Sequence, residues 1–272
     1  MDFEKLAQLA IEAALTAGKI IENYLTEEVT VERKLGGDSQ ASQVVTVVDR
    51  ACEAAIITHL APSCSEYDLA LLSEERPDDG SRFIKDFFWC IDPMDGTLAF
   101  IQKRPGFSVS IALVSHDGTP YVGVVYDPST ATLYHAIKGK GAFKNQVSWE
   151  LKSPQGYFTL VGDKPLKETR QAEQIEALIS AKQKELGLVK RQEITGAGAV
   201  LNAIYVVDNG PACYLKLPKK KEEGGSIWDF AATVCIYQEL GLKSSNFRGE
   251  RLDLNREDSS FMNHEGIYFA NL

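Results

Sequence analysis

Apolar residues recur at helical spacing from the amino terminus. Phe3, Leu6, Leu9, Ala10, Ala13, Ala14, Ala17, Ile20, Ile21 and Tyr24 predict one amphipathic helix over 3–25. A polar Gly36-Gly37-Asp38-Ser39 loop follows, and Val44 to Asp49 leads into a second helix. That helix carries Ala51, Ala54, Ala55, Ile57 and Leu60 and is expected to close at Pro62. The period then shortens. Leu69–Leu72 and Phe87–Ile91 are apolar runs of strand length, and each runs directly into acidic residues. Phe107–Val114, Tyr121–Tyr126 and Ala131–Ala136 read as a meander of three strands, the first two joined by His116-Asp117-Gly118-Thr119-Pro120. Beyond Gly139–Gly141 the order becomes strand at Phe158–Gly162, helix at Glu168–Glu185 and helix at Ala199–Val207, with a last apolar helix ending at Leu240. The expected organisation is an amino-terminal α+β part, 1–145, and a carboxy-terminal α/β part, 146–272.

Composition narrows the class. The 272 residues are 44% hydrophobic and 25% charged, a globular balance that excludes disorder as the main state. With 29 Lys+Arg against 38 Asp+Glu the net charge is −9, which argues against a nucleic-acid polymer or an anionic membrane as partner. No stretch reaches the roughly 18 apolar residues of a membrane span. Met1-Asp2-Phe3-Glu4-Lys5 does not resemble a secretory leader, so a cytoplasmic protein is expected. The five cysteines, 52, 64, 90, 213 and 235, are scattered and predict buried reduced thiols. Lys219-Lys220-Lys221-Glu222-Glu223 reads as a solvated loop.

A few acids sit where simple solvation does not explain them. Glu74 and Glu75 follow the strand at 69–72, and Asp92 follows the strand at 87–91. In Asp92-Pro93-Met94-Asp95-Gly96-Thr97 two aspartates flank a proline turn, so both carboxylates and the Met94 carbonyl can converge on one point. Carboxylates held together persist only when protonated or when a cation binds among them. Oxygen donors without His or Cys select a hard ion, Mg²⁺ in preference to Ca²⁺ because no EF-hand spacing is present. Gly96 and Thr97 open a helix, placing their amides to face an anion, and the Thr97 hydroxyl could hold a water if Asp49 accepts from it. These parts suit attack of water on a phosphate ester. Taken alone, Asp229 is an acid in the first turn of a helix, and Gly196-Ala197-Gly198-Ala199 is a small-residue turn suited to close packing or to anion or sugar contact.

Val45-Thr46-x-x-Asp49, Ser73-Glu74-Glu75, Trp89-x-Ile91-Asp92-Pro93-Met94-Asp95-Gly96-Thr97, Gly196-x-Gly198-Ala199, Trp228-Asp229-x-Ala231-Ala232 and Gly249-x-x-Leu252-Asp253-x-Asn255 resemble, in order and spacing, the motifs of the inositol monophosphatase superfamily. The resemblance implies a layered αβαβα sandwich of the inositol monophosphatase and fructose-1,6-bisphosphatase type. It also implies Mg²⁺-dependent, lithium-sensitive phosphomonoester hydrolysis with two or three ions per site. By the same resemblance Glu74, Asp92, the Met94 carbonyl, Asp95 and Asp229 are metal ligands. Asp49, Glu74 and Thr97 are catalytic, and Gly96, Thr97, Gly196 and Gly198 meet the substrate. Trp228 would pack so as to orient Asp229, and a homodimer is left open. The stretch Tyr214–Lys221 is similar to the CysQ-type 3′(2′),5′-bisphosphate nucleotidases, in which a cation at the place of Lys216 meets the phosphate that is not hydrolysed. Inositol monophosphatases carry there an acid that meets inositol hydroxyls. Ala199 and Asn202 depart from the nucleotidase pattern. Adenosine 3′,5′-bisphosphate is therefore the expected substrate, with inositol or sugar phosphates as the alternative and a silent phosphate-binding protein as a third reading.

Overall fold

The computed structural model describes residues 1–25, 31–33, 44–220, 224–262 and 264–272. The Gly36–Ser39 loop and Lys221-Glu222-Glu223 lie outside these residues. The chain begins with helix α1 (Phe3–Tyr24), whose first turn is capped by the Asp2 carboxylate accepting from the Lys5 amide at 3.0 Å. Strands β1 (Val31–Arg33) and β2 (Val44–Thr46) pair antiparallel, and β2 leads into helix α2 (Val47–Tyr67).

Two features of α2 correct the sequence reading. The buried stripe is Val48, Cys52, Ile56 and Leu60, at i, i+4 spacing, while Ala54 faces solvent: the larger side chains take the core position from the alanines. Pro62 does not end the helix, which runs on to Tyr67. Pro62 and Thr58, whose carbonyl the proline cannot serve, both lie on the exposed side, and the next residue is anchored. Ser63 donates to the Leu60 carbonyl at 2.6 Å and accepts from the buried Trp89 indole at 2.9 Å.

A seven-stranded sheet follows in near-sequential order: β3 (Ala70–Ser73), β4 (Phe87–Asp95), β5 (Ser108–Ser115), β6 (Pro120–Asp127), β7 (Thr132–Ile137), β8 (Gly141–Lys144) and β9 (Val147–Ser148). Only β3 and β4 are parallel. The meander is as the alternation predicts. The short helix α3 (Thr97–Ile101) interrupts it between β4 and β5. A second sheet has the order β11-β10-β12-β14-β13, from β10 (Phe158–Gly162), β11 (Arg191–Thr195), β12 (Ala212–Lys216), β13 (Lys243–Ser245) and β14 (Ile267–Asn271). Here β10 is parallel to both β11 and β12. Helices α4 (Ala172–Glu185), α5 (Ala199–Asp208) and α6 (Ile227–Glu239) connect these strands. α4 starts four residues later than the pattern suggests, a 3₁₀ turn at Leu166–Glu168 preceding it.

The period of two sorts the core into three packets. Trp89, Ile91, Val109, Ile111, Val122 and Val124 face α1 and α2. Their neighbours Phe88, Cys90, Ala112, Val114 and Val125 face α5 and α6, which also cover Val161, Tyr214 and Phe269 of the smaller sheet. Its other face, with Phe158, Leu160, Cys213 and Leu215, is covered by Ile175 and Ile179 of α4. Both sheets are thus buried on two sides, which is why their strands read as unbroken apolar runs. The layers are αβαβα. All five cysteines are free thiols, four of them buried.

Candidate active site

The acidic residues meet where strands end. β4 continues past Ile91 to Asp95, with an irregularity in its pairing to β5 between Asp92 and Asp95, so the expected turn is a bulge within a strand. The Asp92 carboxylate turns back to accept from the Met94 amide at 3.1 Å, and the Thr97 hydroxyl donates to the Met94 carbonyl at 3.2 Å. Gly96 then takes φ +84, where a Cβ would collide with the Gly106 carbonyl. This tight crossing puts Asp95 against the amino terminus of α5. The Asp95 carboxylate accepts from the amides of Ala199 at 3.2 Å and Val200 at 2.8 Å. Gly198 leaves the room for it, since a Cβ there would overlap the carboxylate. Asp229, in the first turn of α6, accepts from the Ser226 amide at 2.6 Å.

One carboxylate oxygen from each of Asp92, Asp95 and Asp229 lies within 4.8 Å of the others. Asp92 is 1% and Asp95 7% exposed. Burial, then Glu74, Asp95, Asp229 and Asp49, holds the Asp92 carboxyl well above the usual range. Burial and Asp229 do the same to Asp95, against the two α5 amides and Lys216. Asp229 is pushed up to about 6 by burial and Glu74, with Lys216 pulling the other way. Carboxyls raised by burial and by one another's charge are the residues a cation would relieve. The donors are all oxygen, so Mg²⁺ fits this set and a soft metal does not. Glu74 follows β3, its amide donating to the Ile91 carbonyl at 3.2 Å, and Asp49 sits 4% exposed in the first turn of α2.

Lys216 is no solvated lysine. Its side chain is 15% exposed and its ammonium lies 3.1 Å from an Asp163 carboxylate oxygen. Burial disfavours the charge, but Asp163, Asp229 and Asp95 outweigh it and raise the lysine. The other Asp163 oxygen accepts from the Tyr214 hydroxyl and the Asn202 amide, both at 2.9 Å. Asp163 was not among the sequence candidates, although it follows the apolar run 158–162 as Glu74 and Asp92 follow theirs. Gly196, at φ +99, lies on the loop that packs against Gly106. Trp228 is half-buried against the central core, its carbonyl accepting from the Ser110 hydroxyl at 3.1 Å. The Gly249–Asn255 motif is an irregular segment, not a strand, and Asn255 uses it to accept from the buried Arg82 guanidinium at 2.6 Å.

An acidic oxygen cluster at the strand ends of a layered αβαβα sandwich defines a phosphatase class already suggested by the motifs. The chain belongs to the inositol monophosphatase family, whose profile matches residues 2–270. It is 32% identical over 239 residues to a Nus factor SuhB of Haemophilus influenzae, covering 87% of this chain and 83% of that one. It is 31% identical to inositol monophosphatase 2 of Solanum lycopersicum, covering 92% and 91%. Among solved structures it superposes on an inositol monophosphatase from Thermotoga maritima with TM-score 0.73 and 22% identity, covering 98% and 92%. A dual-specific inositol monophosphatase/NADP phosphatase bound with D-inositol-1-phosphate gives TM-score 0.76 at 19% identity, covering 100% and 92%. Among the described residues no helix is long and apolar enough to cross a membrane.

Proposed function

We propose that the chain is a Mg²⁺-dependent phosphomonoesterase acting on a small hydroxyl-bearing phosphate, inositol monophosphate or another sugar phosphate. The observation that carries the chemistry is the convergence of Asp92, Asp95 and Asp229. With Glu74 and the Met94 carbonyl they would hold the metal, two or three ions in all. Bound Mg²⁺ would supply charge for the ester oxygens and lower the pKa of water. Glu74, Asp49 and the Thr97 hydroxyl would orient the attacking water and take its proton, while the Gly96 and Thr97 amides hold the phosphate. Gly196 would border the leaving group, and Gly198 admits Asp95.

The second reading is a 3′(2′),5′-bisphosphate nucleotidase that converts adenosine 3′,5′-bisphosphate to AMP and phosphate. Lys216 favours it, as a cation on the wall beside Asp95 and Asp229. Phosphate release from inositol 1-phosphate, fructose 1,6-bisphosphate and adenosine 3′,5′-bisphosphate, each with Mg²⁺, separates the readings. In Lys216→Ala the nucleotidase reading requires a KM increase for the bisphosphate that exceeds the increase for inositol 1-phosphate. An equal change in both removes the second-phosphate role.

A further inference from the structure

The parallel register of the smaller sheet creates a feature that neither strand shows by itself. β10 and β12 run side by side, Val161 opposite Tyr214, so the position two residues on brings Asp163 level with Lys216. Gly162 of β10 is opposite Thr195 of β11, which brings the Gly196 turn to the same edge. The ends of three parallel strands thus assemble beside Asp95 and Asp229. The Asp163 side chain is 52% exposed, and its geometry is fixed from below by Tyr214 and Asn202 on one oxygen and by Lys216 on the other. Lys216 has three N–H donors and Asp163 accounts for one of them here.

We propose that Asp163 and Lys216 form a hydroxyl-recognising pair, with Asp163 the residue that selects a phosphate ester carrying neighbouring hydroxyls over one carrying a second phosphate. This inference rests on the phosphatase reading and deepens it. A hydroxyl is donor and acceptor at once, so two adjacent hydroxyls can donate a hydrogen bond to Asp163 and accept one from Lys216. A second phosphate can use only the lysine. It would lie beside the Asp163 carboxylate, and such like-charge juxtaposition is how sites reject a wrong ligand. Asp163 brings a carboxylate to Lys216 from the neighbouring strand.

The test is Asp163→Asn, which keeps the shape and removes the charge. KM for adenosine 3′,5′-bisphosphate should fall by about tenfold and KM for inositol 1-phosphate should rise by about tenfold. Asp163→Glu, which retains the charge, should keep the wild-type order of preference. Loss of a merely structural residue would move both substrates in one direction. Parallel shifts, or no shift in either, overturn the proposal. Asp163→Ser gives the same comparison if the Asn variant does not fold. If the wild-type protein hydrolyses no phosphate ester in Mg²⁺, the phosphatase reading is what has failed. Calorimetric dissociation constants for the same two compounds then decide the pair independently, by the same opposed shifts.

Discussion

At the level of single residues the site depends on Asp95, which faces two ways. Its oxygens approach Asp92 and Asp229 and also accept from the first amides of α5. Asp95→Asn keeps the shape but not the charge. Mg²⁺-dependent phosphate release should drop by at least about 100-fold while the circular dichroism stays that of the wild type, an outcome to be read from kinetics and spectroscopy together. Gly198→Ala is the complementary change, because its new methyl would displace the Asp95 carboxylate from where it sits. It should lose most of the activity with wild-type circular dichroism, and a fully active variant would remove Asp95 from the metal site. Glu74 and Asp92 are legible in the sequence because an acid at the end of an apolar run is visible locally, and Asp95 because it sits across a proline from Asp92. Asp163 follows the same rule but was hidden. Its meaning depends on Lys216, which lies 53 positions along the chain and level with it only through the sheet register.

At the level of elements, period and length foretold most helices and strands, because both sheets are covered on two faces and long apolar runs have few other uses. α2 runs on past Pro62 for a physical reason. A proline on the solvent side of a helix costs a hydrogen bond, but the docking of Ser63 to Trp89 keeps the next turn in place. Pro62→Ala should therefore stabilise the protein, by about 1–3 kcal/mol, measurable by urea unfolding. A destabilised variant would show that the proline is needed for the helix path. The bulge in β4 was equally invisible in the sequence, since Asp92-Pro93-Met94-Asp95 suits a turn as well as a strand. What decides is the pairing with Ser108 and Ser110 of β5.

For the whole molecule, alternation tells which faces are buried but not the order of strands. The placement of β10 between β11 and β12, and of β14 between β12 and β13, was accordingly not readable from the sequence. That order is what brings Asp163 level with Lys216 at the edge where the Gly196 turn lies. Because burial and neighbouring charge raise Asp92, Asp95 and Asp229 in the folded state, folding takes up protons above the unfolded pKa of about 4. The metal-free protein should lose stability as pH rises from there through about 6, the value for Asp229. Mg²⁺ binds the deprotonated cluster and should restore that stability. The Tm gained on exchanging EDTA for Mg²⁺ should be larger at pH 8 than at pH 5, and an equal gain at both would place the ion elsewhere.

Steady-state phosphate release from inositol 1-phosphate by the wild-type chain, with Mg²⁺ and again in EDTA, distinguishes a metal-dependent phosphatase from any other reading of the acidic cluster. Turnover in Mg²⁺ should disappear in EDTA and return when Mg²⁺ is added back. Equal release under both conditions, or none with any phosphomonoester in saturating Mg²⁺, would contradict the metal-dependent phosphatase.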